Sequence, residues 1–363
     1  MQRFLLLVGA RPNFIKIAPI YKALKDRRAE LKLVHTGQHY DSAMSEIFFR
    51  ELGIPDPDFN LNVGSGERQE MTKKIVDGLL PILRSGNFDC LVTVGDVTST
   101  AAGAMAGIVA GVPVVHVEAG LRSFNWRMPE ELNRMIADHY SKLLFVSEPS
   151  GLKHLADEKV MGQVHYVGNV MIDTLRRMEK LADETDILSK LKLEARKYGV
   201  VTLHRPENVD DPAVLPQLWG SLEQAAQKIP LVFPVHPRTT AKLAALGLKG
   251  SADFKLIEPI GYIDMLALEK NAACILTDSG GLQEEATALG VPCLTLRTET
   301  ERPSTVTHGT NEIVGHDRAA LLAALDKILA GNWKAAQLPE LWDGHAAERI
   351  AEILISEDVK NSP

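Results

Sequence analysis

Twice in this chain a short apolar run ends in an aspartate, turns into a helix, passes through Gly-Val-Pro and enters another apolar run. The first copy leads from Thr93-Val94-Gly95-Asp96 to Gly111-Val112-Pro113, the second from Leu276-Thr277-Asp278 to Gly290-Val291-Pro292. The openings of the two halves echo each other as well, one strand candidate leading into Arg11-Pro12 and the other into Arg205-Pro206. The apolar runs are continuous, not alternating, and amphipathic stretches separate them. That is the pattern of parallel strands covered on both faces by helices. In the first half strands are predicted at 4–8, 31–36, 91–94, 114–118, 143–146 and 165–167, and helices at 14–25, 68–84, 99–110 and 130–141. In the second half strands are predicted at 200–203, 231–235, 254–257, 273–277, 293–296 and 312–314. Helices are predicted there at 213–228, 262–270, 282–289, 317–330 and 346–357. With 363 residues the chain exceeds one ordinary core. The expected fold is α/β, two Rossmann-like domains whose parallel sheets face a cleft. The first domain is expected over 1–170 and the second over 171–345, with the segment 346–363 packing back on the first.

Composition narrows the function classes. Apolar content of 45% and charged content of 24% are those of a soluble globular protein. A formal net charge of −7 argues against nucleic acid, so a nucleotide ligand would be held by local basic residues. Cys90, Cys274 and Cys293 lack paired spacing and read as reduced core residues of a cytoplasmic protein. The uncharged region 97–115 contains Ser, Thr, Gly and Pro, which favours a buried helix and strand over a membrane span. The apolar run at 4–8 is too short for a signal peptide. No Gly-x-Gly-x-x-Gly follows a predicted strand, so there is no dinucleotide fingerprint.

Ligands of doubly wound sheets bind beyond the C-terminal ends of the strands, so the residues there carry the chemistry. Ser279, Gly280 and Gly281 form a turn, with a helix expected to open at Leu282. Unpaired N–H groups and the helix dipole suit a phosphate at such a start, and glycines have no Cβ to hold it off. Glu285, one turn on, could accept both hydroxyls of a ribose; the alternative is a capped turn with a solvated glutamate. Arg11 and Lys16 open the first helix, either as phosphate or sugar contacts or as solvated cations opposing the dipole. Asp96 either caps the following helix or stands as a carboxylate at the cleft. His116 and Glu118 alternate on one strand and so are expected on one face; their spacing matches no familiar zinc pattern. Glu130 and Arg134 lie four apart after Pro129, which by itself explains a surface salt bridge. His204 ends a strand before a turn at Arg205-Pro206 and could act as acid, base or phosphate ligand. His236 ends the next strand, and Arg302 is placed to meet a diphosphate.

Gly-Ala-Arg-Pro-x-x-Ile-Lys at 9–16, Gly95-Asp96, His116-Val117-Glu118-Ala119-Gly120-Leu121-Arg122, Pro129-Glu130-Glu131-x-Asn133-Arg134, His204-Arg205, Asp278-Ser279-Gly280-Gly281-x-Gln283-Glu284-Glu285 and Thr300-Glu301-Arg302-Pro303 occur in this order. Together, over nearly the whole chain, they resemble the non-hydrolysing UDP-N-acetylglucosamine 2-epimerases. The resemblance implies a glycosyltransferase-B type fold with a UDP-sugar between its domains. It implies interconversion of UDP-GlcNAc and UDP-ManNAc by elimination of UDP to 2-acetamidoglucal and re-addition, without NAD or a required metal. On this resemblance Arg11, Lys16, His204, Ser279, Gly280, Gly281, Glu285 and Arg302 hold UDP, and Asp96, Glu118, Glu130 and Arg134 surround the sugar. It further implies a homodimer and activation by a second UDP-GlcNAc, with Gln38, His39, Arg205 and His236 lining that site. The Ser123–Met128 link is shorter than in enterobacterial members; His35–Tyr40 and Arg122-Ser123-Phe124 look more like members acting on UDP-2,3-diacetamido-2,3-dideoxyglucuronate, while Arg302-Pro303 favours the UDP-GlcNAc members. A sugar transferase, a hydrolysing epimerase and a nucleotide-sugar sensor are the competing readings.

Overall fold

The computed structural model describes residues 2–37, 50–357 and 359, with the side chains of Arg11, Pro237 and Arg238 left out. Gln38 and His39 therefore lie outside the described residues. The chain divides into two compact units, one made of Met1–Thr174 with Glu340–Pro363, the other of Leu175–Pro339.

In unit 1 the strands are β1 (Arg3–Val8), β2 (Glu30–His35), β3 (Phe59–Asn60), β4 (Cys90–Val94), β5 (Val114–Ala119), β6 (Leu143–Val146) and β7 (Gln163–Tyr166). They form one parallel sheet in the order β3-β2-β1-β4-β5-β6-β7. In unit 2 the strands are β8 (Gly199–Thr202), β9 (Leu231–Pro234), β10 (Phe254–Ile257), β11 (Cys274–Thr277), β12 (Cys293–Thr295) and β13 (Asn311–Ile313). Their order is β10-β9-β8-β11-β12-β13, again parallel throughout. Both sheets are doubly wound with the same order over six strands, β7 being an extra edge strand in unit 1, so the repeat read in the sequence is a repeat of topology. In each unit the order reverses between the first strand and the fourth: β1 and β4, β8 and β11. Gly9–Arg11 and Gly95-Asp96 follow one such pair; His204-Arg205 and Asp278–Gly280 follow the other.

Each sheet has its own core. Leu5, Leu7, Ile75, Leu79, Leu91 and Ala102 anchor one in unit 1; Trp219, Phe233, Phe254, Leu276 and Leu294 anchor that of unit 2. The uncharged region forms the helix Thr98–Ala110 and then β5, and among the described residues no helix is long and apolar enough to cross a membrane. The three cysteines are buried and free. Unit 1 closes with the helix Ala346–Ser356, whose first N–H groups, on Ala346 and Ala347, donate to the Asp173 carboxylate at 3.1 and 2.6 Å. Trp342, fully buried, donates its indole N–H to the Ser147 carbonyl.

Several expectations need correction. The helices Pro149–Asp157, Pro206–Val209, Pro237–Ala245 and Pro303–Thr307 had no counterpart in the periodicity. All four open on proline, whose missing N–H costs nothing at the first helical position but reads as a break in sequence. The helix expected from Leu282 begins at Gly280, with Ser279 as N-cap, so the two glycines are its first turn and not the loop before it. The two-residue strand β3 was not anticipated either.

Candidate active site

In unit 1 the first group of site residues gathers at the C-terminal ends of β1, β4 and β5. Asn13, buried in the helix Arg11–Asp26, accepts the N–H of Ala10 at 3.0 Å and donates to the Val94 carbonyl at 3.0 Å, tying the β1 turn to β4. Lys16 follows one turn later. It is not solvated: it is 5% exposed and its ammonium pairs with the Glu118 carboxylate. Glu118 sits at a bulge. The β5–β6 register shifts between Val117 and Ala119, and Glu118 takes φ +70°, which a side chain adopts only when its surroundings enforce it. The bulge breaks the period of two behind the expectation that His116 and Glu118 share a face.

Asp96 follows β4. The N-cap of the next helix is Val97, and the Asp96 carboxylate pairs instead with Arg134. Arg134 lies on the helix Pro129–Tyr140 and is fully buried, with Glu118 at 3.8 Å on its other side. The surface salt bridge expected of Glu130 and Arg134 fails for that reason, since Arg134 faces inward to two carboxylates. Glu130, half-buried, stands in the first turn of the same helix, where Asn133 donates to the Asp96 carbonyl at 2.9 Å. The neighbouring Glu131, buried, accepts the N–H groups of Ser123 and Phe124 at 2.8 and 3.1 Å and so fixes the link between Glu118 and Glu130.

In unit 2 the second group gathers beyond β8 and β11. Asp278 is fully buried and accepts from His204 N–H and Arg205 N–H at 3.0 Å each, from Asn208 at 3.1 Å, and pairs with His204 Nδ1 at 2.9 Å. Burial pushes its carboxyl up, but the charge of His204 and these hydrogen bonds win and hold it below its ordinary value. The His204 ring, half exposed, is thereby oriented by a buried carboxylate with Nε2 at its far side. Arg302 is buried, with Nε 2.9 Å from Glu284 and Nη1 3.3 Å from Glu301. Glu301 also takes both terminal nitrogens of Arg297 at 3.1 Å. Burial raises the Glu301 carboxyl, yet Arg302, Arg297 and Arg205 together hold it well below the usual carboxylate range. A Cβ on Gly280 would collide with the Arg302 guanidinium. Gly280 is thus required by the cation lying against the helix start. Glu285 is buried, accepts the Tyr262 hydroxyl at 2.7 Å, and is no solvated surface group. Arg205 takes an extended backbone before Pro206, and His236 is exposed two residues past β9.

The model for the UDP-N-acetylglucosamine 2-epimerase family matches residues 22–355. The chain belongs to that family. A relative described as a UDP-N-acetylglucosamine 2-epimerase homolog from Methanococcus maripaludis is 40% identical, covering 97% of this chain and 99% of that one. The UDP-2,3-diacetamido-2,3-dideoxy-D-glucuronate 2-epimerase of Pseudomonas aeruginosa is 37% identical over 97% of this chain and 99% of its own. Among solved structures, Methanocaldococcus jannaschii UDP-GlcNAc 2-epimerase in complex with UDP-GlcNAc and UDP superimposes with a TM-score of 0.91 at 38% identity, covering 98% of this chain and all of that one.

In this 2-epimerase family member, the residues missed by sequence reasoning are the partners of those it found. Asn133, Asp138, Asp278, Tyr262, Glu284 and Glu301 each hold a candidate residue or its backbone, and Asn13, Asn208 and Arg297 brace the neighbouring turns and partners. Their signal was weak because each is a common polar residue in a helix or turn, and only tertiary contact gives it a function.

Proposed function

We propose that this chain interconverts UDP-GlcNAc and UDP-ManNAc. The observation that carries the reading is the pair of buried acid–cation contacts at the strand ends of unit 1, Asp96 with Arg134 and Glu118 with Lys16. Inverting C2 requires one carboxylate to remove its proton and another acid to return one on the opposite face, and Asp96, Glu118 and Glu130 supply those groups. As the C2–H electrons form the C1=C2 bond of 2-acetamidoglucal, the C1–O pair leaves with UDP. Arg302, Arg11, the Ser279 hydroxyl and the N–H groups of Gly280 and Gly281 take up the charge on the diphosphate, and His204 protonates or holds it. Re-addition of UDP to C1 with protonation at C2 from the other face completes the exchange. Neither NAD nor a metal enters this balance. The family resemblance extends the proposal to a homodimer and to activation by a second UDP-GlcNAc at Gln38, His39, Arg205 and His236.

Glu285 holds the ribose in this reading, and its ionisation then governs affinity. Burial first, with the nearby charge of Glu284 adding and the Tyr262 hydroxyl opposing, pushes its carboxyl up to about 7. The folded state thus keeps a proton that the unfolded chain loses near the usual carboxylate range. This favours folding below that range, and the benefit disappears as pH rises through about 7. UDP binding runs the opposite way, since the ionised form accepts ribose hydroxyls. Calorimetry is expected to show UDP affinity weakening roughly tenfold from one unit above that value to one below, as the competent fraction falls. Glu285→Gln should flatten this dependence; an unchanged slope would remove Glu285 from the ribose.

A second reading is favoured by the Pseudomonas aeruginosa relative and by the Arg122-Ser123-Phe124 segment: a diacetamidoglucuronate in place of GlcNAc. Incubation with each UDP-sugar in deuterated water, without added cofactor, decides. Deuterium at C2 with UDP-ManNAc formed is expected; exchange only with the uronate selects the second reading, and an unchanged sugar in both points to a transferase or sensor.

A further inference from the structure

His116 takes no part in the scheme above, yet it is fully buried, lies between Asp96 and Glu118 in sequence, and meets the carbonyl of Gly95 just before Asp96. We propose that His116 carries protons on both ring nitrogens and, with Asp138, is a positioning residue for both carboxylates. The inference rests on the epimerase reading, in which Asp96 and Glu118 face the sugar.

Hydrogen-bond bookkeeping leads there. His116 Nε2 lies 2.8 Å from the Gly95 carbonyl, and a carbonyl oxygen only accepts, so Nε2 bears a proton. His116 Nδ1 lies 2.7 Å from Asp138 Oδ1. The other Asp138 oxygen accepts the Gly120 N–H at 3.1 Å and meets Arg122 Nη2 at 2.7 Å. The Gly120 N–H also reaches Oδ1 at 3.4 Å, so both oxygens have a donor besides the ring; with the Arg122 guanidinium against it the carboxyl is ionised and accepts from Nδ1 as well. Asp138 is also fully buried, where an ionised carboxylate persists only with such partners. Arg122 in turn donates Nε and Nη2 to Glu158 at 2.8 and 2.7 Å. Two cations and two anions thus close a cluster from the elements packed around the ring: the Pro129–Tyr140 helix, the turn after β5 and the end of the Pro149–Asp157 helix. Both nitrogens of His116 are engaged, which leaves neither for a metal ion.

The placement of these bonds gives the cluster its role. The Gly95 carbonyl belongs to the peptide that carries Asp96, and Gly95 takes φ +70°. A Cβ there would meet the Lys16 ammonium at 3.1 Å, so this turn lies directly against the cation that pairs with Glu118. On β5, Asp138 holds the side chain of residue 116 and the N–H of residue 120, bracketing the bulge that holds Glu118. One buried His–Asp pair therefore fixes the backbone beneath two site carboxylates on neighbouring strands.

The test uses the whole protein with its histidine rings labelled with nitrogen-15, His116 being assigned from His116→Gln. Two ring N–H signals for His116 at about pH 7 are expected; one bare nitrogen overturns the proposal. The same variant is expected to lose about 100-fold in kcat, the scale of an ångström-sized misplacement, with UDP affinity within about twofold of the parent. Asp138→Asn, which keeps size and one acceptor, should show the same split. A kcat within about threefold of the parent in both variants, or equal loss of UDP affinity and kcat in both, overturns the positioning role. Absence of C2 exchange in the parent would sink the epimerase reading alone, because the ring protons are read without substrate.

Discussion

Asp96→Asn is expected to bind UDP normally and to lose C2 exchange. The substitution keeps an oxygen that can accept from Arg134 and leaves the Asp96 carbonyl bonded to Asn133. It removes the negative charge and the capacity to take a proton. Loss of a positioned acid or base costs about 10²–10⁴-fold, so deuterium incorporation at C2 should fall into that range or below detection. Stability should fall too, because Arg134 is fully buried and is left with the more distant Glu118 carboxylate, 3.8 Å away. Removing one partner of a buried pair costs on the order of 3 kcal/mol, less here because Asp96 is partly exposed. Proton NMR in deuterated water and calorimetry with UDP measure the two halves. Undiminished exchange would take Asp96 out of the chemistry.

The second large effect is expected at Arg302, on the opposite side of the reaction. Arg302→Met removes the guanidinium that lies against the Gly280 helix start, where we place the departing diphosphate. Donors aimed at developing charge are worth about 10²–10³-fold in kcat. Arg302→Lys should recover only part of it, since a point charge cannot keep the contacts to both Glu284 and Glu301. Stability follows a definite sign. Glu301 is held well below the usual carboxylate range, so its pairing stabilises the fold above that range and fades as pH falls. Arg302→Met should therefore be more destabilised at neutral than at acid pH in urea titrations. A kcat within threefold of the parent would place the diphosphate elsewhere.

Those two residues also mark how far the sequence could be read. Asp96 and Arg302 were both found, one at a strand end and one in a motif. What each touches was not. Arg134 looked like half of a surface pair, because an i to i+4 spacing fixes neighbours on a helix but not which way the helix faces. Glu118 was assigned a face from alternation, and the bulge that re-aims it leaves no trace in composition. The prolines at 149, 206, 237 and 303 read as breaks because proline ends helices more visibly than it begins them. Apart from β3, the strands came through to within about two residues, because a parallel strand buried on both faces must be apolar along its length. Most of the site lies where those strands stop, so its location was legible and its wiring was not.

The return of residues 340–359 to unit 1 bears on how the chain is made. Trp342, Ile350, Ala351 and Leu354 are buried, and the Asp173 carboxylate waits for N–H groups more than 170 positions downstream. A ribosome therefore releases the first 174 residues long before their last packing partners exist. The second unit, continuous in sequence, can close while the first is still short of a helix. Unit 1 is thus completed only after all of unit 2 has been made, so the later lobe in sequence can be the earlier one to close.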